Sequence, residues 1–216
     1  MIVEKLAVGP LQANSYILGC EETRKALVID PGGEPERIES RIRDLGLELL
    51  LVLGTHAHLD HVLGVRDLCQ STGAPFLLHR LDEPLLARLQ EWTRQWLGVD
   101  PGPPPTVDRY VEDGETVRFG ACELEVRLTP GHSPGSVSLV DGGRQNVFVG
   151  DLLVSGSIGR SDLPGGDHDT LIQSVEERIF TLGDDCTVLS GHGPATSVGR
   201  ERQHNPFFGQ RSGLWR

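Results

Sequence analysis

Within GTHAHLDHVLG, residues 54 to 64, three histidines and an aspartate occupy six positions: His56, His58, Asp60 and His61. The whole chain has eight histidines, so three in one short run is a concentration that neither a core nor a surface loop requires. Imidazole and carboxylate groups are the ordinary ligands of zinc, iron and manganese. At a spacing of two, His56 and His58 can turn both rings toward one ion if the backbone is extended. Asp60 and His61 then fall on the turn entering the next element. Two ions fit this density better than one, with Asp60 either a ligand or a carboxylate that orients one.

Further ligands are expected where apolar strands end in glycine-rich turns. Three places meet that description: His132 in TPGHSPGS, Asp151 in VFVGDLL and His192 in VLSGHGP. His79, His168 and His204 lack this context and read as surface or hydrogen-bonding residues. GHSPG at 131–135 matches the G-x-S-x-G nucleophile elbow around Ser133. That elbow needs a strand, a sharp turn and a helix. Here SVSLVD follows, which reads as a strand, so Ser133 and Ser136 are expected to brace a ligand loop through their hydroxyls. Asp30 in VIDPGG and Asp162 in GRSD are either turn residues or carboxylates that hold the far nitrogen of a ligand histidine. Arg160 is the ion-pair partner expected for Asp162.

These residues need elements to position them. IVEKLAV, NSYILGC and KALVID read as strands, and a helix is predicted from Pro35 to Leu45 with Ile38, Ile42 and Leu45 on one face. LELLLVLGT is a nearly continuous apolar strand, expected to be buried on both faces. A helix is predicted from Val62 to Thr72, then the strand PFLLH. DEPLLARLQEWTRQWLG reads as one helix capped by Asp82, with Leu85, Leu89, Trp92 and Trp96 along a stripe. PGPPPT is a rigid connector. CELEVRLT, GSVSLVD and QNVFVGD are strands, the last two joined at Gly142 and Gly143. A Gly/Ser-rich loop over 152–167, a helix from Thr170 to Leu182 and a last strand in CTVLSGHG complete the chain. Two similar halves about a midpoint near Pro104 predict an α/β fold: a four-layer αββα sandwich formed as one domain over 1–216.

Composition excludes several classes. The formal net charge is -11 and no Lys/Arg-rich run occurs, which argues against a nucleic-acid partner. No apolar run is long enough to span a membrane, and the N-terminus does not read as a secretory signal. The four cysteines form no CxxC, as expected of reduced thiols in a cytoplasmic protein.

The run THAHLDH, followed by His132, Asp151 and His192, resembles the metallo-β-lactamase fold superfamily across essentially the whole chain. GSIGRSDLPGGD (156–167) is similar to the glycine-rich segment of glyoxalase II-like proteins and of their persulfide dioxygenase relatives, and ERQHNPFF (201–208) resembles the closing segment of small bacterial glyoxalase II-type hydrolases. The resemblance implies one ion on His56, His58 and His132, a second on Asp60, His61 and His192, and Asp151 bridging them. Asp60 and Asp151 are then also the catalytic candidates. It implies two divalent ions, zinc first, with iron and manganese sharing the same ligand chemistry.

The implied reaction is hydrolysis of a thioester such as S-lactoylglutathione to lactate and glutathione. A thiol with a pKa of roughly 8.5 departs as thiolate with little acid help, whereas an amide nitrogen must be given a proton. The alternative is an iron-dependent persulfide dioxygenase of the same fold. Full-length glyoxalase II proteins end in a helical domain that grips glutathione. About 24 residues follow His192 here, with Arg200, Arg202 and Arg211 as basic groups. Arg160 and Arg202 are the candidates to meet a substrate carboxylate. The expected partner is a small-molecule thioester, with no nucleic acid and no membrane. The sequence does not choose between monomer and homodimer.

Overall fold

The computed structural model describes residues 1–143 and 145–208. Strands β1 (Ile2–Val8), β2 (Ala13–Gly19), β3 (Lys25–Ile29), β4 (Glu48–Leu53), β5 (Phe76–His79) and β6 (Arg109–Val111) form one sheet in chain order. The first three run antiparallel and the rest are added in parallel. Strands β7 (Thr116–Phe119), β8 (Cys122–Leu128), β9 (Val137–Asp141), β10 (Asn146–Gly150), β13 (Thr187–Ser190) and β14 (Thr196–Ser197) form the second, in the order β14-β13-β10-β9-β8-β7. Between β10 and β13 lies a two-residue-stranded hairpin, β11 (Leu153–Val154) and β12 (Ser157–Ile158).

Alternation along the strands sorts side chains into three apolar layers, because successive residues of a strand face opposite sides. Leu18, Leu27, Ile29, Leu53, Leu77, Leu124, Val126, Leu139 and Phe148 pack between the two sheets. Their neighbours Ile17, Val28, Val52 and Leu78 point outward, onto helices α1 (Pro35–Asp44), α3 (Val65–Thr72) and α5 (Leu89–Leu97) through Ile38, Ile42, Val65, Leu68 and Trp92. Val140, Val147, Val149 and Val188 point to the opposite outer face. There they meet Leu171, Val175, Ile179 and Val198 of α6 (His168–Ser174), its π-helical continuation Val175–Ile179, and α7 (Val198–His204). Helix, sheet, sheet and helix are the four layers expected of the αββα sandwich.

Several expectations about single elements are corrected. β4 is fully buried only at Val52 and Leu53, the two residues that pair with β5, and Leu50 is exposed. The helix expected over Val62–Thr72 is two pieces, α2 (Leu59–Val62) and α3, broken where Gly64 donates to the Pro31 carbonyl (2.8 Å). The helix expected after Asp82 is likewise broken into α4 (Glu83–Leu86) and α5. Asp82 makes no capping hydrogen bond there. Trp96 is exposed and stacks flat on buried Trp92, centroids 6.0 Å apart. β6, β7, β11, β12, β14 and α7 have no counterpart in the sequence reading, and the two sheets divide after Val111 rather than near Pro104. The strands that escaped notice are short: RYV in β6 and TVRF in β7 offer too few residues to establish a period of two.

Among the described residues, no helix is long and apolar enough to cross a membrane. All four cysteines are free.

Phe148 is fully buried between the sheets, edge-on to Tyr16 at 5.1 Å, while the Tyr16 hydroxyl donates to the Ser190 carbonyl (2.7 Å). Phe148→Ala leaves a cavity that the two sheets cannot close. We expect a loss of about 3–5 kcal/mol, read as a lower urea midpoint with an unchanged slope.

Candidate metal centre

The side chains of this site lie on the connections that leave strand ends. His56 and His58 follow β4, and Asp60 and His61 lie in α2. His132 follows β8, Asp151 follows β10 and His192 follows β13. The parallel order of β3, β4 and β5, and of β10 and β13, sends these ends to one edge of the sandwich. The fold brings all seven residues together, although 136 positions separate His56 from His192.

They form two clusters. The ligand atoms of His56, His58 and His132 lie within 4.8 Å of one another, as do those of Asp60, His61 and His192. In the first, His132 Nε2 is 2.8 Å from His58 Nδ1 and 3.2 Å from His56 Nε2. In the second, Asp60 Oδ2 is 3.0 Å from His192 Nε2 and 3.7 Å from His61 Nε2. Asp151 stands between them. Its Oδ2 is 3.7 Å from His132 Nε2 and 3.6 Å from His192 Nε2, and its Oδ1 is 3.5 Å from His61 Nε2. His61 Nε2 and Asp151 Oδ1 are buried without any hydrogen-bond partner. Buried polar atoms are normally paired, and orphans of this chemistry fit a cation. Gly191 is required here: a Cβ on it would fall 2.2 Å from Asp151 Oδ1 and 2.6 Å from His61 Cε1.

The far nitrogens are held from behind, which fixes which nitrogen is left to bind. His132 Nδ1 donates to the Arg160 carbonyl (2.6 Å), leaving Nε2 as the lone-pair donor. His61 Nδ1 lies 3.0 Å from Asp30 Oδ2. Asp30 also accepts from the Thr55 backbone N–H and hydroxyl, each at 2.6 Å. Thr55 Oγ1 is in turn 3.0 Å from His56 Nδ1. Asp30, for which the sequence left turn and support open, therefore contacts a ligand directly.

Electrostatics divide the two clusters. Burial pushes His56 well below the ordinary histidine value and His58 down to about 3, and the neighbouring histidines add to both effects. Burial also lowers His132, against the pull of Asp151. These three are neutral lone-pair donors. In the second cluster burial opposes protonation of His61, yet Asp151, Asp60 and Asp30 raise it well above the usual value. His192 is raised by its hydrogen bond to Asp60. Burial works against ionisation of Asp151, but His61, His132 and His192 hold it well below the carboxylate range.

Other candidates take different places. Ser133 Oγ is fully buried and donates to Asp82 Oδ2 (2.8 Å), which leaves no approach for a substrate. Asp162 touches no ligand histidine; it forms an exposed bidentate pair with the Arg160 guanidinium, at 2.9 and 2.8 Å. The Arg160 backbone, not Asp162, supports His132. Arg202 is engaged with Asp184 and with the Phe180 and Leu182 carbonyls at the end of the α6 segment, so it is spent on packing the C-terminal helix. Arg211 lies outside the described residues. His79 is buried and accepts from the Leu81 N–H (3.4 Å), while His168 and His204 are exposed. Sequence reasoning missed Thr55 and Asp82. Thr55 had a usable signal, standing beside His56; Asp82 had none, since nothing in the sequence ties it to residues 57 and 133.

Two outcomes are expected. Asp151→Ala weakens binding of both ions by more than the roughly 10–100-fold typical of losing a ligand's supporting partner, as read by chelator competition. Apparent affinity also rises with pH through the neutral range. The raised His61 and His192 hold protons to a higher pH than ordinary histidines, and an incoming cation must displace them. Calorimetry in buffers of differing ionisation enthalpy measures the protons released.

Comparison with known proteins agrees with this geometry. The Metallo-beta-lactamase superfamily model matches residues 8–192. The hydroxyacylglutathione hydrolase GloC of Haemophilus influenzae is 35% identical, over 98% of this chain and 100% of its own length. The mitochondrial persulfide dioxygenase ETHE1 of Homo sapiens is 36% identical, over 89% of this chain and 70% of its own. The crystal structure of TTHA1623 in a di-iron-bound form superposes with a TM-score of 0.87 at 41% identity, covering 95% of this chain and all of that one. With the fold, the clustered ligands and a family match that spans nearly the whole chain, this protein belongs to the metallo-β-lactamase superfamily.

Proposed function

We propose that the chain is a metal-dependent thioester hydrolase acting on hydroxyacyl thioesters of the S-lactoylglutathione type. The observation that carries this reading is the Asp151 carboxylate, set 3.5–3.7 Å from histidines of both clusters. That arrangement suits two adjacent ions sharing one carboxylate. The full-length likeness to GloC supports the substrate class.

A pair of divalent ions supplies, when bound, a water-derived nucleophile at neutral pH and polarisation of the substrate carbonyl. His56, His58 and His132 would hold one ion and Asp60, His61 and His192 the other. The protein's own share is placement. The supports on the far nitrogens of His56, His61 and His132 keep the other ring nitrogen of each aimed inward. Asp60 and Asp151 are the carboxylates within reach of a proton taken from water. The site opens on the His192 side, whose side chain is 33% exposed against 0% for His61. No acid is needed at the leaving group, because a thiolate leaves unaided near its pKa of roughly 8.5.

Arg160 is proposed to meet a carboxylate of the thiol carrier. Its guanidinium is 68% exposed, on the loop whose carbonyl supports His132. Its bond to Asp162 is an exposed, solvent-screened pair of small net strength, so a substrate carboxylate can replace it. Arginine binds such groups through two parallel N–H donors.

Metal analysis with a thioester assay across several thiol carriers tests the main reading. Two ions per chain together with S-lactoylglutathione hydrolysis are expected. The likeness to ETHE1 defines the opposing result: one iron per chain and persulfide-dependent oxygen uptake without thioester cleavage. For Arg160→Ala, KM is expected to rise more for anionic than for neutral thioesters, with kcat nearly kept. An equal loss on both substrate types would assign Arg160 to loop architecture alone.

A further inference from the structure

Asp82 sits in the single turn of 3-10 helix Arg80–Asp82 that follows β5, away from the sequence motifs, and its side chain is completely buried. Three donors converge on it. The Ala57 N–H (2.8 Å) and the Ser133 hydroxyl (2.8 Å) bind Oδ2, and the Gly135 N–H (2.6 Å) binds Oδ1. Ala57 lies between His56 and His58; Ser133 adjoins His132. The two loops come from different sheets, one leaving β4 and the other β8. Gly135 permits the approach, since a Cβ on it would fall 2.7 Å from the Asp82 backbone nitrogen. Ser136 completes the brace, its Oγ accepting from the Ser133 N–H at 3.1 Å.

We propose that Asp82 is the positioning residue of the His56/His58/His132 cluster, setting the distance between its two ligand loops. This inference rests on the metal-centre reading above and not on the reaction assigned to it. The geometry separates Asp82 from Asp30. Asp30 binds Thr55 and His61, so it supports the His61 side of the loop. Asp82 binds Ala57 and crosses to the His132 loop. To share one ion, three ring nitrogens from two separate loops must stay at the spacing seen here, 2.8 and 3.2 Å from His132 Nε2. A carboxylate is suited to the task because both oxygens only accept. An asparagine in its place has one accepting oxygen and an NH2 group that would face a backbone N–H. One further tie joins these loops, the Val137 N–H donating to the Thr55 carbonyl (2.9 Å), so loss of Asp82 loosens the cluster without separating the sheets.

The test reads zinc affinity by chelator competition in two single-cluster backgrounds. His192→Ala leaves the His56/His58/His132 cluster whole, and His58→Ala leaves the Asp60/His61/His192 cluster whole. Asp82→Asn is added to each. We expect zinc binding weaker by about 10–100-fold in the His192→Ala background and by under about threefold in the His58→Ala background. An equal loss in both backgrounds, or none in the first, overturns the proposal. If circular dichroism shows that Asp82→Asn does not fold, Ser133→Ala replaces it. That variant removes one of the three donors, and a loss of several-fold confined to the first background is expected; an equal or absent loss again overturns it. The measurement uses no substrate, so failure of the thioester assay would leave its outcome intact.

Discussion

The structure depends on one constraint: metal-capable atoms from one connection of the first sheet and three of the second must converge at one edge of the sandwich. His58 Nδ1, His56 Nε2 and His132 Nε2 crowd together, and His61 Nε2 and Asp151 Oδ1 are buried unpaired. Such a cluster repels itself and has given up its hydration. It persists because the remainder of the fold over-determines it, and a cation would relieve it. Ions bound at this candidate site would therefore add to folding stability.

The supports are arranged to match. Buried groups take the far nitrogens of three rings: Asp30 holds His61, the Thr55 hydroxyl meets His56 and the Arg160 carbonyl holds His132. Asp30, Asp82 and the Arg160 carbonyl come from three separate connections, after β3, after β5 and in the loop following β12. None of these is near the THAHLDH run in sequence. The two apolar layers outside the sheets and the one between them hold the strand ends in register, and the ligand loops inherit that rigidity. A site carried on strand ends can vary its outer loops while its ligands stay fixed, which is consistent with relatives of this chain bearing the names of a thioester hydrolase and of a dioxygenase.

What the sequence by itself determined is local. Ligand type is written in single residues, and the positions of His132, Asp151 and His192 after apolar runs could be read because strand period and glycine turns are short-range signals. The layered α/β architecture followed from the same periodicity. β6 and β7 were not legible, since strands of three and four residues are too short to establish a period of two. Tertiary structure alone decided the rest. It turned Asp82 from an expected helix cap into a brace for two loops, spent Arg202 on the Phe180 and Leu182 carbonyls, and gave the support of His132 to the Arg160 carbonyl rather than to Asp162. The physical reason is the same in each case. Hydrogen-bond partners of buried groups are chosen by proximity across the sandwich, and proximity between residues 57, 82 and 133 exists only once both sheets have packed.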